Sequence, residues 1–220
     1  EILKKEKKNF EIVLLSADSN YKELLKQARL FNVKNLIITN NNSYSKLRSK
    51  LNKNTKIFKD FNALDKIFKK KIDYIMSSIT GLEGLEPTYK IIKYTKKIAI
   101  ANKESIICGW NILSKELKKN NTEFIPVDSE HFSIWYAIKD LSNDSIEKIF
   151  ITASGGPFYH LPINKFKNIK ISDAIKHPNW KMGKKISIDS STLMNKVFEI
   201  IEAKKIFNLS YNKLDILIHK

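Results

Sequence analysis

The chain has 220 residues, and its 40 Lys and Arg against 23 Asp and Glu give a formal net charge of +17. A hydrophobic content of 42% is enough to fill a core and argues against intrinsic disorder. Only two of the cationic residues, Arg29 and Arg48, are arginine, although recognition of phosphate and guanine favours arginine. We therefore attribute much of the charge to a Lys-, Asn- and Ile-rich composition typical of A/T-rich codons, and expect no nucleic-acid partner.

A single cysteine, Cys108, excludes an internal disulfide framework and a cysteine-based zinc site. No apolar run approaches the roughly 20 residues that a membrane-spanning helix needs, and the first residues lack the apolar stretch of a signal peptide. We expect no membrane partner. Strand-like patterns close to both termini lead us to expect a segment of a longer protein.

The first part of the chain alternates short apolar strands with amphipathic helices, a pattern typical of a parallel sheet covered by helices. The predicted strands are residues 10–17, 35–39, 55–60, 72–80 and 97–102, and the predicted helices are residues 21–31, 45–53, 61–70 and 87–96. Asn20 is the expected N-cap of the first of these helices. We predict an α/β fold with a doubly wound, mostly parallel, Rossmann-like sheet whose N-terminal part is incomplete.

The pattern changes after Val127, where we place a domain boundary between residues 1–127 and 128–220. The second part is expected to be an α+β domain, with a helix at residues 135–141 and a strand at residues 146–154. The segment KISID is predicted as a further strand that runs into a long helix beginning near Ser191.

Three carboxylates of the second domain are candidate metal ligands. Asp128 and Glu130 are two residues apart, so in an extended segment both point to one side, as a hard cation requires. Glu199 shares a helix face with Asn195 and Lys196, which suits a combined metal and anion pocket. The alternative is that these are ordinary surface acids, and His131 beside them is either a ligand or a core histidine.

Hydroxyl groups and a Trp-containing loop are further candidates. The run from Asp189 to Thr192 is expected to open a helix, where its hydroxyls cap backbone N–H groups or bind an anion together with Ser154, which precedes Gly155-Gly156. The loop HPNWKMG, residues 177–183, has the composition of a lid that excludes water, although its tryptophan is equally compatible with plain packing.

Five ordered motifs together resemble one family, 1-deoxy-D-xylulose 5-phosphate reductoisomerase. They are ANKES (101–105), PVDSEH (126–131), TASGGPF (152–158), HPNWKMGKKISIDSSTLMNK (177–196) and EIIEA (199–203). The resemblance implies an NADPH-dependent enzyme of the non-mevalonate isoprenoid pathway. It would rearrange 1-deoxy-D-xylulose 5-phosphate and reduce the product to 2-C-methyl-D-erythritol 4-phosphate, with residues 1–127 binding NADPH and residues 128–220 binding metal and substrate.

The resemblance also implies roles for individual residues. The Mg²⁺ or Mn²⁺ ligands would be Asp128, Glu130 and Glu199. Residues that contact substrate would be Lys103, Ser129, Ser154, His177, Trp180, Ser190, Asn195 and Lys196, with Lys103 and His177 counted as catalytic beside the three metal ligands. Residues near the nicotinamide would be Gly81, Asn102, Lys103, Glu104 and Met182. Phosphonates of the fosmidomycin type are expected inhibitors, and a homodimer is the expected assembly.

Two of the family's regions fall outside the sequence. The glycine-rich nucleotide loop would precede residue 1 and a further region would follow residue 220, so the chain is expected to be the middle of the enzyme and to bind NADPH poorly alone. The composition favours the plastid of an A/T-rich parasite, with the bacterial cytoplasm as the alternative. Another nicotinamide-dependent oxidoreductase acting on a sugar phosphate and a basic nucleic-acid-binding domain are the competing functions.

Overall fold

The computed structural model describes residues 2–175 and 183–219, which form two compact units. The N-terminal unit comprises Glu1–Asp73 and Lys90–Lys96, and the C-terminal unit comprises Tyr74–Tyr89 and Lys97–Lys220. The domain boundary predicted after Val127 stays a prediction. No helix among the described residues is long and apolar enough to cross a membrane.

The N-terminal unit is built on a three-stranded parallel sheet with the order β1-β2-β3. Its elements are α1 (Ile2–Lys5), β1 (Leu14–Ala17), α2 (Tyr21–Leu30), β2 (Asn35–Ile38), α3 (Asn41–Arg48), β3 (Lys56–Phe58) and α4 (Leu64–Ile67). The side chain of Asn20 caps α2 by accepting a hydrogen bond from the Glu23 N–H at 3.2 Å, as predicted. The core between α2, α3 and the sheet is apolar, with Leu36 completely buried.

Three predicted elements of this unit have different limits in the structure. The first strand begins at Leu14, and Phe10 is exposed. Helix α3 begins at Asn41 because the side chain of Asn40 caps it, accepting a hydrogen bond from the Ser43 N–H. The helix predicted at residues 61–70 is a 3₁₀ turn followed by the single turn of α4. A cap and a short 3₁₀ turn therefore account for the differences at α3 and α4.

A second three-stranded sheet has the order β4-β5-β6. Its strands and helices are β4 (Ile72–Ser77), α5 (Leu85–Ile91), β5 (Thr95–Ile100), α6 (Lys103–Lys119) and β6 (Glu123–Pro126). Strands β5 and β6 are parallel, with Ile98 opposite Phe124. The carboxyl ends of these strands lie in the C-terminal unit and lead directly into the segments that carry the candidate site.

The rest of the C-terminal unit packs helices against a two-stranded parallel sheet, β7 with β8. Its elements are α7 (Ser129–Ile138), β7 (Ile149–Ala153), α8 (Ile171–Ala174), α9 (Lys184–Ser191), α10 (Met194–Phe207) and β8 (Leu214–Ile218). A small apolar cluster that includes Ile134, Ile151 and Ala203 lies between α7, α10 and the strands. The predicted α/β class, with parallel strands followed by an α+β region, is confirmed.

The prediction of a strand at KISID was wrong, since this segment is part of helix α9. The apolar residues Ile186 and Ile188 alternate as in a strand, but both are exposed. The buried positions are Ser187 and Ser191, which are one helical turn apart. Small polar residues thus face the interior here, and hydrophobic periodicity gives the wrong period.

Candidate active site

The candidate site begins at the carboxyl ends of three neighbouring strands, where ligands bind in open parallel sheets. Gly81 follows β4 with φ of +79°, a left-handed conformation that favours glycine. Asn102 follows β5 and caps α6, accepting a hydrogen bond from the Ser105 N–H at 2.5 Å. The amide nitrogen of Asn102 also donates to the Gly81 carbonyl at 2.7 Å. One side chain therefore fixes the turn after β4 to the start of α6.

Asp128 follows β6 and is the N-cap of α7, with Glu130 in the first helical turn. The Asp128 carboxylate accepts a hydrogen bond from the Glu130 N–H at 3.1 Å, and Ser129 Oγ donates to Glu130 Oε2 at 2.6 Å. The predicted extended conformation of this segment was wrong, because the helix begins at Ser129. The two carboxylates are brought together by the geometry of a helix N-terminus instead.

Glu199 of α10 joins these two carboxylates. Each of Asp128, Glu130 and Glu199 offers a carboxylate oxygen, and the three oxygens lie within 4.8 Å of one another. Glu199 is 1% exposed, so its carboxylate requires a compensating positive charge. Three oxygen donors at this spacing are the set that Mg²⁺ or Mn²⁺ prefers, and the residues present therefore fit such an ion.

Lys196, one helical turn before Glu199, lies within this carboxylate cluster. Its Nζ donates hydrogen bonds to Glu130 Oε1 at 2.6 Å and to Glu199 Oε2 at 2.5 Å. Burial alone lowers the pKa of Lys196, but the two carboxylates outweigh it and raise this pKa overall. Burial is also the main reason why the pKa of Glu199 is raised, against the opposing effect of Lys196. Asn195 donates a further hydrogen bond to Glu199 Oε1.

A second group of charges borders the first and shares Asp128. Lys103, the first residue of α6, has its Nζ 3.2 Å from Glu202 Oε2 and 3.7 Å from Asp128 Oδ2. On the other side of Asp128, His131 Nδ1 is 3.2 Å from Asp128 Oδ1. Burial alone would raise the pKa of Asp128, yet its interactions with His131 and Lys103 hold this pKa well below its usual range.

His131 is a buried neighbour of Asp128 rather than an isolated core residue. Its Nε2 lies 2.9 Å from the backbone carbonyl oxygen of Glu199, and its Nδ1 faces the carboxylate of Asp128. Both neighbours are oxygen atoms that can accept a hydrogen bond, which favours a proton on the ring. Burial lowers the pKa of His131, but the carboxylate of Asp128 and the Glu199 carbonyl raise it overall.

The predicted phosphate-binding residues come from two segments that meet at Gly156. A Cβ atom on Gly156, whose φ is +69°, would lie 2.8 Å from the backbone oxygen of Ser190, so glycine permits this close approach. Ser154 and Ser190 therefore lie on neighbouring segments. The run from Asp189 to Thr192, however, ends α9 and does not open a helix, and the hydroxyls of Ser191 and Thr192 donate to the Ile188 carbonyl.

Of the four remaining predicted site residues, the structure describes Glu104. Glu104 lies at the start of α6, 3.3 Å from Lys185 Nζ of α9. His177, Trp180 and Met182 lie outside the described residues. The roles assigned to these four residues stay predictions.

Sequence reasoning did not single out Glu202, although it lies in the same motif as Glu199. Its side chain is buried, and burial is the main reason why its pKa is raised to about 7, against the effect of Lys103. The signal was its spacing, because Glu202 follows Glu199 by three residues and therefore shares its helix face. A second buried acid on a face that already carries Lys196 and Glu199 indicates a charged interior.

Two family models match the chain. Residues 1–109 match the family 1-deoxy-D-xylulose 5-phosphate reductoisomerase, and residues 124–207 match the C-terminal domain of 1-deoxy-D-xylulose 5-phosphate reductoisomerase. Similar proteins with the same name include one from Pelagibacter ubique (strain HTCC1062), 60% identical over 223 residues. Another, from Wolbachia pipientis subsp. Culex pipiens, is 41% identical over 221 residues. All of this chain is covered in both cases, and it spans 57% and 56% of the length of these relatives.

Solved structures of similar proteins have the same fold. A crystal structure of DOX-P reductoisomerase in complex with NADPH, fosmidomycin and magnesium has a TM-score of 0.86 and 32% identity, covering 99% of this chain and 57% of that protein. The Zymomonas mobilis enzyme in complex with NADPH has a TM-score of 0.88 and 31% identity, covering 99% of this chain and 56% of that protein. In both cases the structural similarity extends over 99% of this chain.

Proposed function

The chain belongs to the 1-deoxy-D-xylulose 5-phosphate reductoisomerase family, and from this premise we propose that the full-length protein has that enzyme's activity. It converts 1-deoxy-D-xylulose 5-phosphate and NADPH, with one proton, into 2-C-methyl-D-erythritol 4-phosphate and NADP⁺. The observation that carries the proposal is the convergence of Asp128, Glu130 and Glu199 within 4.8 Å. One of them, Asp128, lies 3.7 Å from Lys103, and these two residues follow the carboxyl ends of β6 and β5, where parallel sheets bind nucleotides.

Asp128, Glu130 and Glu199 would hold Mg²⁺ or Mn²⁺. Such an ion polarises carbonyl oxygens and stabilises negative charge on them when it is bound. The carboxylates themselves fix its position, since Asp128 and Glu130 are held by the start of α7 and Glu199 by α10. Ser129, in the same turn as Glu130, would contact the polar end of the substrate.

Lys103 would bind substrate oxygen through its ammonium group. The side chain is 18% exposed, and its Nζ lies within 4 Å of the carboxylates of Glu202 and Asp128. An ammonium has three N–H donors, so a donor remains available to a substrate oxygen beside these two carboxylates. The charge would stabilise the oxygen on which negative charge develops during the C–C rearrangement.

Ser154, Ser190, Asn195 and Lys196 would bind the substrate phosphate, in keeping with the close approach of Gly156 to Ser190. Because Lys196 also contacts two of the proposed metal ligands, phosphate and metal would be held by one connected group of charges. His177 and Trp180 would cover the substrate. Binding energy from the phosphate would then favour closure over the reacting carbons.

Gly81, Asn102, Lys103, Glu104 and Met182 would lie near the nicotinamide, which supplies the hydride. The support is the position of the first three at the ends of β4 and β5. Asn102 orients this region by bonding to the Gly81 carbonyl and to the start of α6. A fixed backbone at this point suits a ring that must face the substrate.

The primary test is metal-dependent oxidation of NADPH by the full-length protein with 1-deoxy-D-xylulose 5-phosphate. Turnover in Mg²⁺ or Mn²⁺ that stops with a chelator, together with inhibition by fosmidomycin, is the expected result. Metal-independent oxidation of NADPH by other sugar phosphates would favour a different oxidoreductase instead.

Lys196→Ala is expected to weaken fosmidomycin binding, whereas a selective loss of NADPH affinity would contradict the phosphate assignment.

We also propose a cytoplasmic location in a bacterium rather than the plastid that composition favoured. The support is that the relatives at 60% and 41% identity are bacterial.

A homodimer stays a prediction, supported by the exposed apolar side chains Phe150 and Leu217 on β7 and β8. Sedimentation of the full-length protein tests it, since a monomer at micromolar concentration would exclude a stable dimer.

A further inference from the structure

Among the described residues of the site, Glu202 is the one buried acid to which the proposed function assigns no role. Its side chain is 2% exposed and lies 3.2 Å from Lys103 Nζ. Burying an ionised carboxylate this deeply costs free energy unless a cation compensates its charge. Lys103 is such a cation, so the role of Glu202 has to be sought in its pair with Lys103. Helices α6 and α10 pack together, which places the two residues opposite each other.

Lys103 occupies an unfavourable position for a cation. It is the first residue of α6, at the helix N-terminus, where the backbone N–H groups already carry partial positive charge. Two carboxylates attract its ammonium: Glu202 at 3.2 Å and Asp128 at 3.7 Å. The closer partner, Glu202, belongs to the buried interior, and the more distant one is a proposed metal ligand.

We propose that Glu202 is a positioning residue that holds the ammonium of Lys103 away from Asp128. This inference rests on the proposed function, in which Asp128 binds metal and Lys103 binds substrate. With Glu202 ionised, Lys103 has a partner other than Asp128, and the Asp128 oxygens remain available to a divalent cation. Without that charge, Asp128 is the remaining carboxylate beside the ammonium, so Lys103 closes on it and competes with the metal.

His131 supports this division of charge around Asp128. It approaches the other carboxylate oxygen, Oδ1, while Lys103 approaches Oδ2. Together, His131 and Lys103 hold the pKa of Asp128 well below its usual range, and a closer approach by Lys103 would neutralise the carboxylate further. The distance between Lys103 and Asp128 therefore controls how much negative charge the metal site retains.

The test is the affinity of the full-length protein for Mn²⁺ alone, measured from the electron paramagnetic resonance signal of free Mn²⁺ at about pH 8, where Glu202 is ionised. Glu202→Gln is expected to weaken Mn²⁺ binding roughly tenfold, which corresponds to about 1.4 kcal/mol. Adding Lys103→Met to Glu202→Gln is expected to restore the affinity, because the competing ammonium is then removed. The double variant is expected to remain inactive, since Lys103 itself is missing.

Glu123→Gln is the matched control, because Glu123 pairs with Lys97 at an exposed site and its loss should leave Mn²⁺ affinity unchanged. Unchanged affinity in Glu202→Gln, or weakened affinity that Lys103→Met does not restore, would overturn the positioning role. If Glu202→Gln does not fold, Glu202→Asp replaces it, with a smaller loss that Lys103→Met again reverses. Failure of the wild-type protein to oxidise NADPH would refute the proposed function instead, since the Mn²⁺ measurement requires no turnover.

Discussion

Helices α2 and α10 bury opposite kinds of side chain. The buried residues of α2 are Leu24, Leu25 and Ala28, whereas those of α10 are Lys196, Glu199, Glu202 and Ala203. On α10 the apolar residues Met194 and Val197 are instead exposed. Burial of α2 is favourable through the hydrophobic effect, but burial of α10 requires paired charges whose desolvation is costly. The buried side chains of α2 therefore serve stability, and the buried charged side chains of α10 serve the proposed chemistry.

The largest expected effect is on turnover and comes from the charged face of α10. Glu199→Gln in the full-length enzyme should reduce kcat at least about a thousandfold, equivalent to about 4 kcal/mol, because one of three proposed metal ligands is lost. NADPH affinity should change little, since Glu199 is proposed to bind metal and not nucleotide. Steady-state kinetics and NADPH titration by fluorescence measure the two quantities.

Glu123→Gln again serves as the control for Glu199→Gln, because it removes a carboxylate from an exposed ion pair with Lys97. Its kcat should equal that of the wild type, as exposed pairs of this kind contribute little. Retention of wild-type kcat by Glu199→Gln would remove Glu199 from the metal site.

A substitution in the apolar interior of the N-terminal unit should instead change stability and leave metal binding intact. Leu36→Ala replaces a completely buried side chain of β2 and should lower the free energy of unfolding by about 3 to 4 kcal/mol, from lost burial and a residual cavity. Affinity for Mn²⁺ should not change in the folded fraction. Urea unfolding and Mn²⁺ titration test both statements, and a loss of metal affinity without a loss of stability would contradict the contrast between the two helices.

The apolar buried face of α2 and the charged buried face of α10 also differ in how well the sequence predicts them. Apolar periodicity and the cap Asn20 correctly located α2, and motif spacing correctly grouped Asn195, Lys196 and Glu199 on one helix. Periodicity failed for α9, whose interior positions are the small polar residues Ser187 and Ser191. A rule that assigns the polar face of a helix to solvent cannot identify such an interior.

The contacts of Glu202 and Lys196 illustrate the same limit. Glu202 lies 3.2 Å from Lys103, which precedes it by 99 residues, and Lys196 contacts Glu130, which precedes it by 66 residues. Spacing within one helix indicated that acids share a face but not which cation compensates each of them. Long-range pairing of charges therefore had to come from the structure.

The charged interior should also make stability depend on pH through Glu202. Burial raises the pKa of Glu202 from its ordinary 4.5 to about 7 in the folded protein, so the folded state binds the proton more tightly than the unfolded state. Stability from this group is therefore fully present below about pH 4.5 and is lost as the pH rises to about 7. The loss amounts to about 3 kcal/mol.

Glu202→Gln removes this titration. In metal-free buffer, the difference in unfolding free energy between wild type and variant should shift by about 3 kcal/mol against the wild type as the pH rises from about 4.5 to about 7. Chemical denaturation at several pH values measures it. A pH-independent difference would mean that Glu202 has an ordinary pKa and that Lys103 fully compensates its charge.

The smallest effect is expected at the surface of the apolar region, where the cap of α2 can be removed without disturbing the core. Asn20→Ala deletes the acceptor of the Glu23 N–H and should lower the free energy of unfolding by about 1 kcal/mol. Asn20→Asp should retain most of the stability, because its carboxylate accepts the same hydrogen bond and interacts favourably with the helix dipole. Equal stability of the Ala and Asp variants would show that Leu24, Leu25 and Ala28 alone determine the stability of α2.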